Sequence, residues 1–245
     1  MGWWFMNNIL SEFNDRAVIY LKIDATQPLT FSLIKEIEDV CNSIEDSGQN
    51  SILLMHLIGQ QDQTFSHVWP GNVDILYVSK WEKVLRRLEK VTALIITVLE
   101  DSCSSLALEL LLVSDYRIAA ENLIISISRA PNMIWPSMML HRLVNQIGLA
   151  QSRPIVLYGT YITAKQAAEL KIINTISSDI TMEVTKFAHL LNSVNITDIA
   201  IRRQLLLDTK SASFEDILGT HLAACDRTLR SPLQRAKPIT SSSLD

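Results

Sequence analysis

A single glutamate, Glu109, stands in the apolar run "LALELLLV" and is the only carboxylate between Asp101 and Asp115. In a helix, Ser105 and Leu112 share its face, so that face is not polar. Burial in such surroundings disfavours the charged carboxylate and raises its pKa, which suits general acid–base chemistry near neutral pH. The alternative is a glutamate on the solvated edge of an amphipathic helix. We favour Glu109 as an acid–base residue.

The elements around Glu109 alternate between strands and helices. Short runs rich in apolar and β-branched residues predict strands, namely "AVIYLKID", "SILLMHLIG", "TALIITVLE", "RIA" and "NLIISISR". Apolar residues at helical spacing predict helices in "LTFSLIKEIEDVCNSIEDSG", "VDILYVSKWEKVLRRLEKV" and "LALELLLV", and in "SMMLHRLVNQIG", "AQSRPIVLYG" and "TAKQAAELKI" after Ser137. Buried strands that alternate with helices favour βαβ units in a parallel sheet, with a helical C-terminal region.

Composition excludes several classes of protein. The chain has 245 residues, is 48% hydrophobic and carries a net charge of −4, so a broad nucleic-acid surface is not expected. Three separated cysteines fit a reduced, cytoplasmic protein and give no disulfide or zinc spacing. No apolar run is long enough to span a membrane, and the N-terminus lacks the basic segment of a signal peptide. Neither GxGxxG nor GxxxxGK[ST] occurs, so no nucleotide cofactor is expected, and the cysteine spacing gives no reason to expect a metal.

Three stretches resemble the crotonase (enoyl-CoA hydratase/isomerase) superfamily. "LLMHLIGQQDQTFS" is similar to its strand–Gly–loop–Phe segment, "ALELLLVSDYRIAAEN" to its glutamate-bearing helix and the strand after it, and "YGTYITAKQAAELKIINTI" to its Ala-x-x-Ala block. The resemblance implies an α/β spiral of ββα units of the ClpP/crotonase type with a C-terminal helical trimerisation region. It predicts an N-terminal extension over residues 1–16, a core over 17–178, a helical region over 179–235 and a disordered tail over 236–245.

The resemblance also implies roles for residues in this sequence. Glu109 occupies the place of the first of two hydratase glutamates, and the oxyanion-hole amides would be those of His67 and Leu106. The family has a run of glycines where this chain has "SSLA", but any residue except proline can supply an amide at a helix N-terminus. His67 could equally be a plain loop histidine. The second glutamate would lie twenty residues after Glu109, where Arg129 stands instead.

Other residues have both a functional and a structural interpretation. Arg129 could pair with a substrate carboxylate or cap a strand end, and Trp69 and Trp135, like Trp81, could wall an acyl pocket or pack at the edge of the core. Asp115 is predicted to be a structural turn residue. His141 and Arg142 are predicted to lie on the solvated face of a helix, with a CoA phosphate contact as the alternative for the arginine.

The resemblance implies an enzyme, an enoyl-CoA hydratase/isomerase-like lyase that acts on an acyl thioester and uses CoA as part of the substrate. "WPGNVDILYVSKWEKVLRRLEKV" and "WPSMMLHRLVNQIG" are similar to DpgB-type proteins of 3,5-dihydroxyphenylglycine biosynthesis. They imply dehydration and aromatisation of a malonyl-CoA-derived polyketide towards 3,5-dihydroxyphenylacetyl-CoA, with a polyketide synthase as partner and a homotrimer or hexamer as the assembly. The alternatives are a dehydratase of a polyketide β-branching cassette, which acts on carrier-protein thioesters, and a non-catalytic partner protein of crotonase fold.

Overall fold

The computed structural model describes residues 12–13, 16–47, 51–60, 69–127, 129–130, 133–209 and 212–230. The helices are α1 (Phe31–Ser47), α2 (Ile75–Lys90), α3 (Ser105–Leu111), α4 (Met139–Tyr158), α5 (Ala164–Glu169), α6 (Ile180–Asn192), α7 (Ile196–Asp208) and α8 (Phe214–Arg230). The strands are β1 (Val18–Asp24), β2 (Ile52–Ile58), β3 (Leu94–Glu100), β4 (Ser102–Cys103), β5 (Tyr116–Ala120), β6 (Ile124–Ile125), β7 (Arg129–Ala130), β8 (Met133–Ile134), β9 (Ile162–Thr163) and β10 (Thr175–Ser177). The chain forms two compact units, Met1–Thr197 and Asp198–Asp245.

The first unit is built on a five-stranded parallel sheet with the strand order β1-β2-β3-β5-β10. Residues of β2 and β3 are buried along almost the whole length of both strands, because each strand lies between two neighbours and both faces are covered. On one face, α1 and α2 pack their apolar stripes against the sheet in a single core cluster. The parallel sheet predicted from the buried apolar runs is confirmed.

The opposite face of the sheet is covered near β5 by α6. The rings of Tyr116 and Phe187 stack with their centroids 3.7 Å apart. Arg16, just before β1, donates from Nη2 to the carbonyl oxygens of Leu191 and Val194 at 2.7 and 3.0 Å. The ring stacking links α6 to β5, and the hydrogen bonds of Arg16 link the start of β1 to the C-terminal end of α6.

A second, smaller sheet follows the strand order β4-β6-β9, and β7 pairs with β8 in a separate hairpin. The sequence predicted one strand over "NLIISISR", and that extent is wrong. Strand β6 pairs for only two residues, and the amide of Ser126 then donates to the carbonyl of Cys103 at 2.8 Å. Because β4 and β9 are equally short, the ladder has no partner residues beyond this point, and the chain continues into the hairpin.

Helix α4 joins two helical stretches that the sequence predicted separately. Gly148, with φ 81° and ψ 159°, interrupts the helix between them, and Gly159 ends it in the left-handed region at φ 56°. A residue without Cβ adopts both conformations at little cost. The two helices predicted between Ser137 and Gly159 are therefore confirmed, and Gly148 separates them.

The second unit contains, among its described residues, most of α7 and all of α8. Helix α8 has no buried residue, and it exposes an apolar stripe of Phe214, Leu218, Leu222 and Leu229. None of the helices in the described part of the chain combines the length and the apolar character needed to cross a bilayer.

Candidate active site

Glu109 lies in the middle of α3 with none of its surface exposed. All seven residues of α3 are buried, so this short helix runs inside the core instead of along a surface. The alternative interpretation, a glutamate on a solvated helix edge, is therefore wrong. The Glu109 carboxyl group is held within the protein and must find its hydrogen-bond partners there.

Three side chains from other elements provide those partners. Trp69 donates from its indole Nε1 to Oε1 of Glu109 at 3.1 Å, and Trp81 of α2 donates from its Nε1 to Oε2 at 2.5 Å. Ser137, just before α4, also hydrogen-bonds to the carboxyl group, while its Oγ accepts from the amide of Met139 at 3.1 Å. The two indole rings meet edge to face with their centroids 5.5 Å apart.

The pKa of Glu109 is raised above the ordinary glutamate value, as the sequence predicted. Burial is the largest cause, because a charged carboxylate loses its hydration inside the core. The hydrogen bonds from Trp81, Ser137 and Trp69 act in the opposite direction, and the negative charge of Glu82 raises the pKa further. A carboxyl group of this kind can keep its proton to higher pH than a solvated glutamate and then donate it as a general acid.

The amide of Leu106, for which the resemblance predicts the role of an oxyanion-hole donor, lies at the N-terminus of a helix. Ser104 is the N-cap of α3, and the Leu106 amide donates to its Oγ at 3.3 Å. The same Oγ donates to the carbonyl of Ala25 at 2.5 Å. A substrate oxygen that uses the Leu106 amide would therefore replace the capping bond of Ser104.

Ser104→Ala should lower the free energy of unfolding by about 1–2 kcal/mol, since an N-cap hydroxyl is lost from a buried helix end. Ser43→Ala is the matched control, because Ser43 is exposed and bonds only within its own helix, to the carbonyl of Asp39 at 2.9 Å. That control should change stability by less than about 0.5 kcal/mol. Urea unfolding followed by circular dichroism measures both variants, and equal effects would show that the cap contributes nothing.

Gly59 directly follows β2 and is the glycine of the predicted strand–Gly–loop segment. Its amide donates to the carbonyl of Glu100 at 2.9 Å, and Gln60 and Ser102 exchange backbone hydrogen bonds of 3.0 and 2.9 Å. A Cβ on Gly59 would collide with the backbone of Ser102, so only glycine fits here. His67, the predicted first oxyanion donor, lies outside the described residues.

The remaining predicted site residues are not all brought together. Trp69 reaches Glu109 as a hydrogen-bond donor with only 2% of its surface exposed, whereas Trp135 is half-buried and is not among the donors to Glu109. Arg129 begins β7, where its backbone is opposite Ile134; its side chain is outside the described part. Asp115 accepts from the amide of Ile95 at 2.8 Å, which confirms its structural role.

Arg142 is buried, so the predicted solvated position is wrong for this residue. Its Nη1 lies 3.0 Å from Oε2 of Glu82, and its Nε lies 3.9 Å from Oε2 of Glu89. Both carboxylates belong to α2, and Arg142 lies in the first turn of α4 beside them. The arginine is therefore shielded from water, and the two carboxylates compensate its positive charge. A CoA phosphate contact for this arginine would have to break these ion pairs.

The hydrogen-bond partners of Glu109 were not predicted from the sequence. Trp81 was interpreted as a pocket wall or as packing at the edge of the core, Ser137 had no assigned role, and Glu82 was not considered. The one available signal was the indole N–H itself, because a buried tryptophan normally needs an acceptor for it. Among the described residues, no group of three or more histidine, cysteine or acidic side chains is arranged to hold a metal ion.

The parallel sheet, the short second sheet and the buried glutamate-bearing helix together define a protein of the crotonase fold. The sequence model described as enoyl-CoA hydratase/isomerase matches residues 17–237. The chain therefore belongs to the enoyl-CoA hydratase/isomerase family, and the superfamily predicted from its sequence is confirmed.

Individual relatives agree with this assignment. A protein of Amycolatopsis orientalis named enoyl-CoA-hydratase is 34% identical over 212 residues, which cover 86% of this chain and 96% of the relative. The crystal structure of an enoyl-CoA hydratase from Shewanella pealeana matches with a TM-score of 0.76 and 19% identity, covering 90% of this chain and 88% of that one. An enoyl-CoA hydratase structure from Bacillus anthracis matches with a TM-score of 0.75 and 16% identity, covering 89% and 90%.

Proposed function

We propose that the protein is an enzyme that dehydrates or isomerises an acyl thioester with Glu109 as its acid–base residue. One observation carries this proposal: a completely buried carboxyl group, with a raised pKa, lies three residues beyond an amide at the N-terminus of α3. Enolate chemistry at a thioester needs a proton donor or acceptor and amide donors for the oxyanion. The proposed reaction requires no separate cofactor, since CoA is part of the substrate.

The proposed substrate is a malonyl-CoA-derived polyketide thioester, converted towards 3,5-dihydroxyphenylacetyl-CoA together with a polyketide synthase. This finer assignment rests on the resemblance of the "WPGNVDILYVSKWEKVLRRLEKV" and "WPSMMLHRLVNQIG" segments to DpgB-type proteins. A carrier-protein thioester of a β-branching cassette is the alternative substrate. Product analysis with the synthase and with each type of thioester distinguishes the two.

A second candidate function is that of a non-catalytic partner protein. The observation in its favour is that these groups already have partners within the protein: two indole N–H groups and one hydroxyl bind the carboxyl group of Glu109, and the Leu106 amide donates to Ser104. Such a carboxyl group can serve as the centre of a packing network without touching a substrate. Measuring the turnover of an acyl thioester by the purified protein distinguishes the two functions, because a non-catalytic partner protein converts no substrate by itself.

We expect acetyl-CoA or a malonyl-derived analogue to bind with its thioester carbonyl near the Leu106 and His67 amides. Replacing the thioester by a thioether removes the carbonyl oxygen and should weaken binding, since the amides then lose their acceptor. Isothermal titration calorimetry with each pair of ligands measures the difference. Failure of every acyl-CoA and acyl-carrier thioester to bind would favour the partner-only function.

The proposed assembly is a homotrimer, or a hexamer of two trimers. The apolar stripe of α8 supports self-association, because Phe214, Leu222 and Leu229 are each more than half exposed, at 70, 58 and 69%. Covering such a stripe removes apolar surface from water and favours association. Light scattering at working concentration measures the assembly, and a monodisperse monomer would contradict it.

A further inference from the structure

The outward surface of α2 is basic, although the whole chain carries a net charge of −4. Helix α2 buries Trp81, Leu85 and Leu88, so the residues at helical spacing on its opposite side face solvent. An apolar first turn on that side is followed by a row of three cations. The exposed residues there are Ile75, Leu76, Ser79, Lys83, Arg86 and Lys90.

The outward surface of α1 is acidic. Helix α1 buries Leu33, Ile37 and Ile44 and turns its opposite side to solvent. This side also begins with an apolar residue, and three carboxylates along it outnumber a single lysine. Its exposed residues are Phe31, Lys35, Glu38, Asp39, Asn42 and Asp46.

The two helices lie side by side and run in the same direction. Arg87 of α2 donates from Nε to Oε1 of Glu45 at 2.9 Å and from Nη2 to Oδ1 of Asn42 at 2.7 Å, and these pairs are 42 and 45 positions apart in the chain. Nearer both N-termini, the ammonium group of Lys80 lies 5.6 Å from the centre of the Phe31 ring. A residue of α1 is therefore level with the residue of α2 that follows it by about 44 positions.

The charges on the two outward surfaces are not compensated within one protomer. The side chains of Asp39, Asp46, Lys83 and Lys90 are exposed, and none of them has an ion pair or a hydrogen bond to another residue in the part of the chain that the structure describes. Like charges three and four positions apart on a helix repel each other. A surface of opposite charge placed over each helix would relieve this repulsion.

We propose that a second copy of this chain binds to the outward surfaces of α1 and α2, about a two-fold axis that runs parallel to the two helices. Such a rotation places α1 of one copy over α2 of the other and keeps every residue at its own level along the axis. Phe31 of the second copy then faces Ile75, its Asp39 faces Lys83, and its Asp46 faces Lys90.

The contact is isologous, so each of these pairs occurs twice and acidic surface meets basic surface on both sides. A two-fold axis across the helices would instead place α1 over α1 and bring like charges together. The inference goes beyond the proposed function and does not depend on it. It uses a surface separate from the exposed stripe of α8, and it joins two protomers, or two trimers if α8 assembles them.

Two complementary charge-reversal variants test the contact. The first is Lys83→Glu with Lys90→Glu, and the second is Asp39→Lys with Asp46→Lys. In either variant four attractive pairs become repulsive, so the dissociation constant of the contact should rise by about 100-fold or more. Size-exclusion chromatography with light scattering should then show half of the wild-type mass for each variant.

An equimolar mixture of the two variants should restore the wild-type mass. In the mixed contact, the acidic α1 of the first variant meets the basic α2 of the second, and the basic α1 of the second meets the acidic α2 of the first. A folding defect in either variant would not be repaired by mixing. Recovery on mixing therefore separates a specific contact from a general loss of structure.

Lys165→Glu with Lys186→Glu is the matched control, because it makes the same change in net charge at exposed positions of α5 and α6. It should keep the wild-type mass. A control that dissociates equally, a mixture that does not reassociate, or a wild-type protein with the mass of a monomer or a single trimer would overturn the inference. No thioester enters these measurements, so they decide the contact whether or not the proposed function holds.

Discussion

Glu109→Gln should lower the rate of product formation by about 10²–10⁴-fold, the usual cost of losing a positioned general acid or base. The carboxamide keeps the shape of the side chain but cannot exchange a proton at the pH of the assay. The rate is measured as product release in the presence of the polyketide synthase that we propose as the partner. Affinity for the acyl thioester should change little, because the proposed binding mode places the thioester carbonyl against backbone amides and not against Glu109.

The structure indicates that Glu109→Gln also destabilises the protein, which the sequence did not indicate. The NH₂ group of a glutamine cannot accept from an indole, so one of the bonds from Trp69 or Trp81 is lost, at about 1–3 kcal/mol of stability. Asp115→Asn is the control for this effect, since Asp115 is the next carboxylate along the chain and accepts from the amide of Ile95. It should lose stability and keep its rate within a few-fold. If the Glu109→Gln variant still stimulates the synthase fully, Glu109 is not catalytic and the protein acts as a non-catalytic scaffold.

Trp81→Phe should destabilise the protein by about 1–3 kcal/mol and change how its stability depends on pH. Phenylalanine preserves much of the ring packing but removes the indole N–H, whose nitrogen Nε1 lies 2.5 Å from Oε2 of Glu109. That N–H favours the charged carboxylate, so its loss should raise the pKa of Glu109 further above the ordinary value.

The sign of the pH effect follows from the raised pKa. Glu109 binds its proton more tightly in the folded than in the unfolded protein, so its contribution to stability is complete below the unfolded pKa and is lost as pH rises through the folded pKa. In Trp81→Phe this loss should extend to higher pH than in the wild type. Urea unfolding over a pH series measures it, with Trp135→Phe as the control for ring substitution. Identical pH dependences would mean that Trp81 does not influence Glu109.

The parallel sheet was predictable because its strands are short and apolar along both faces. The runs that became β2 and β3 have no polar face, and only a sheet covered on both sides buries such strands completely. Helix α1 was predictable for a similar reason, since Leu33, Ile37 and Ile44 recur on one face and are buried. Strand length was not predictable over "NLIISISR", because it depends on how long the partner strands are.

The position of Glu109 was predictable from its sequence neighbours, but its environment was not. Burial followed from the apolar residues of α3 on every side of it. Its donors come from distant parts of the chain, with Trp69 forty and Trp81 twenty-eight positions away, and no local pattern encodes such contacts. The same limit applies to Arg142, whose partners on α2 turn an apparently solvated residue into a buried ion pair.

We propose that this family member carries out thioester chemistry of its own. The most direct measurement is the interconversion of a 3-hydroxyacyl thioester and its enoyl thioester by the purified wild-type protein without the synthase, followed by the absorbance of the conjugated product. We predict conversion that depends on protein concentration and falls about 10²–10⁴-fold in Glu109→Gln. A wild-type protein that stimulates the synthase fully but converts neither CoA nor carrier-protein thioesters would contradict this proposal.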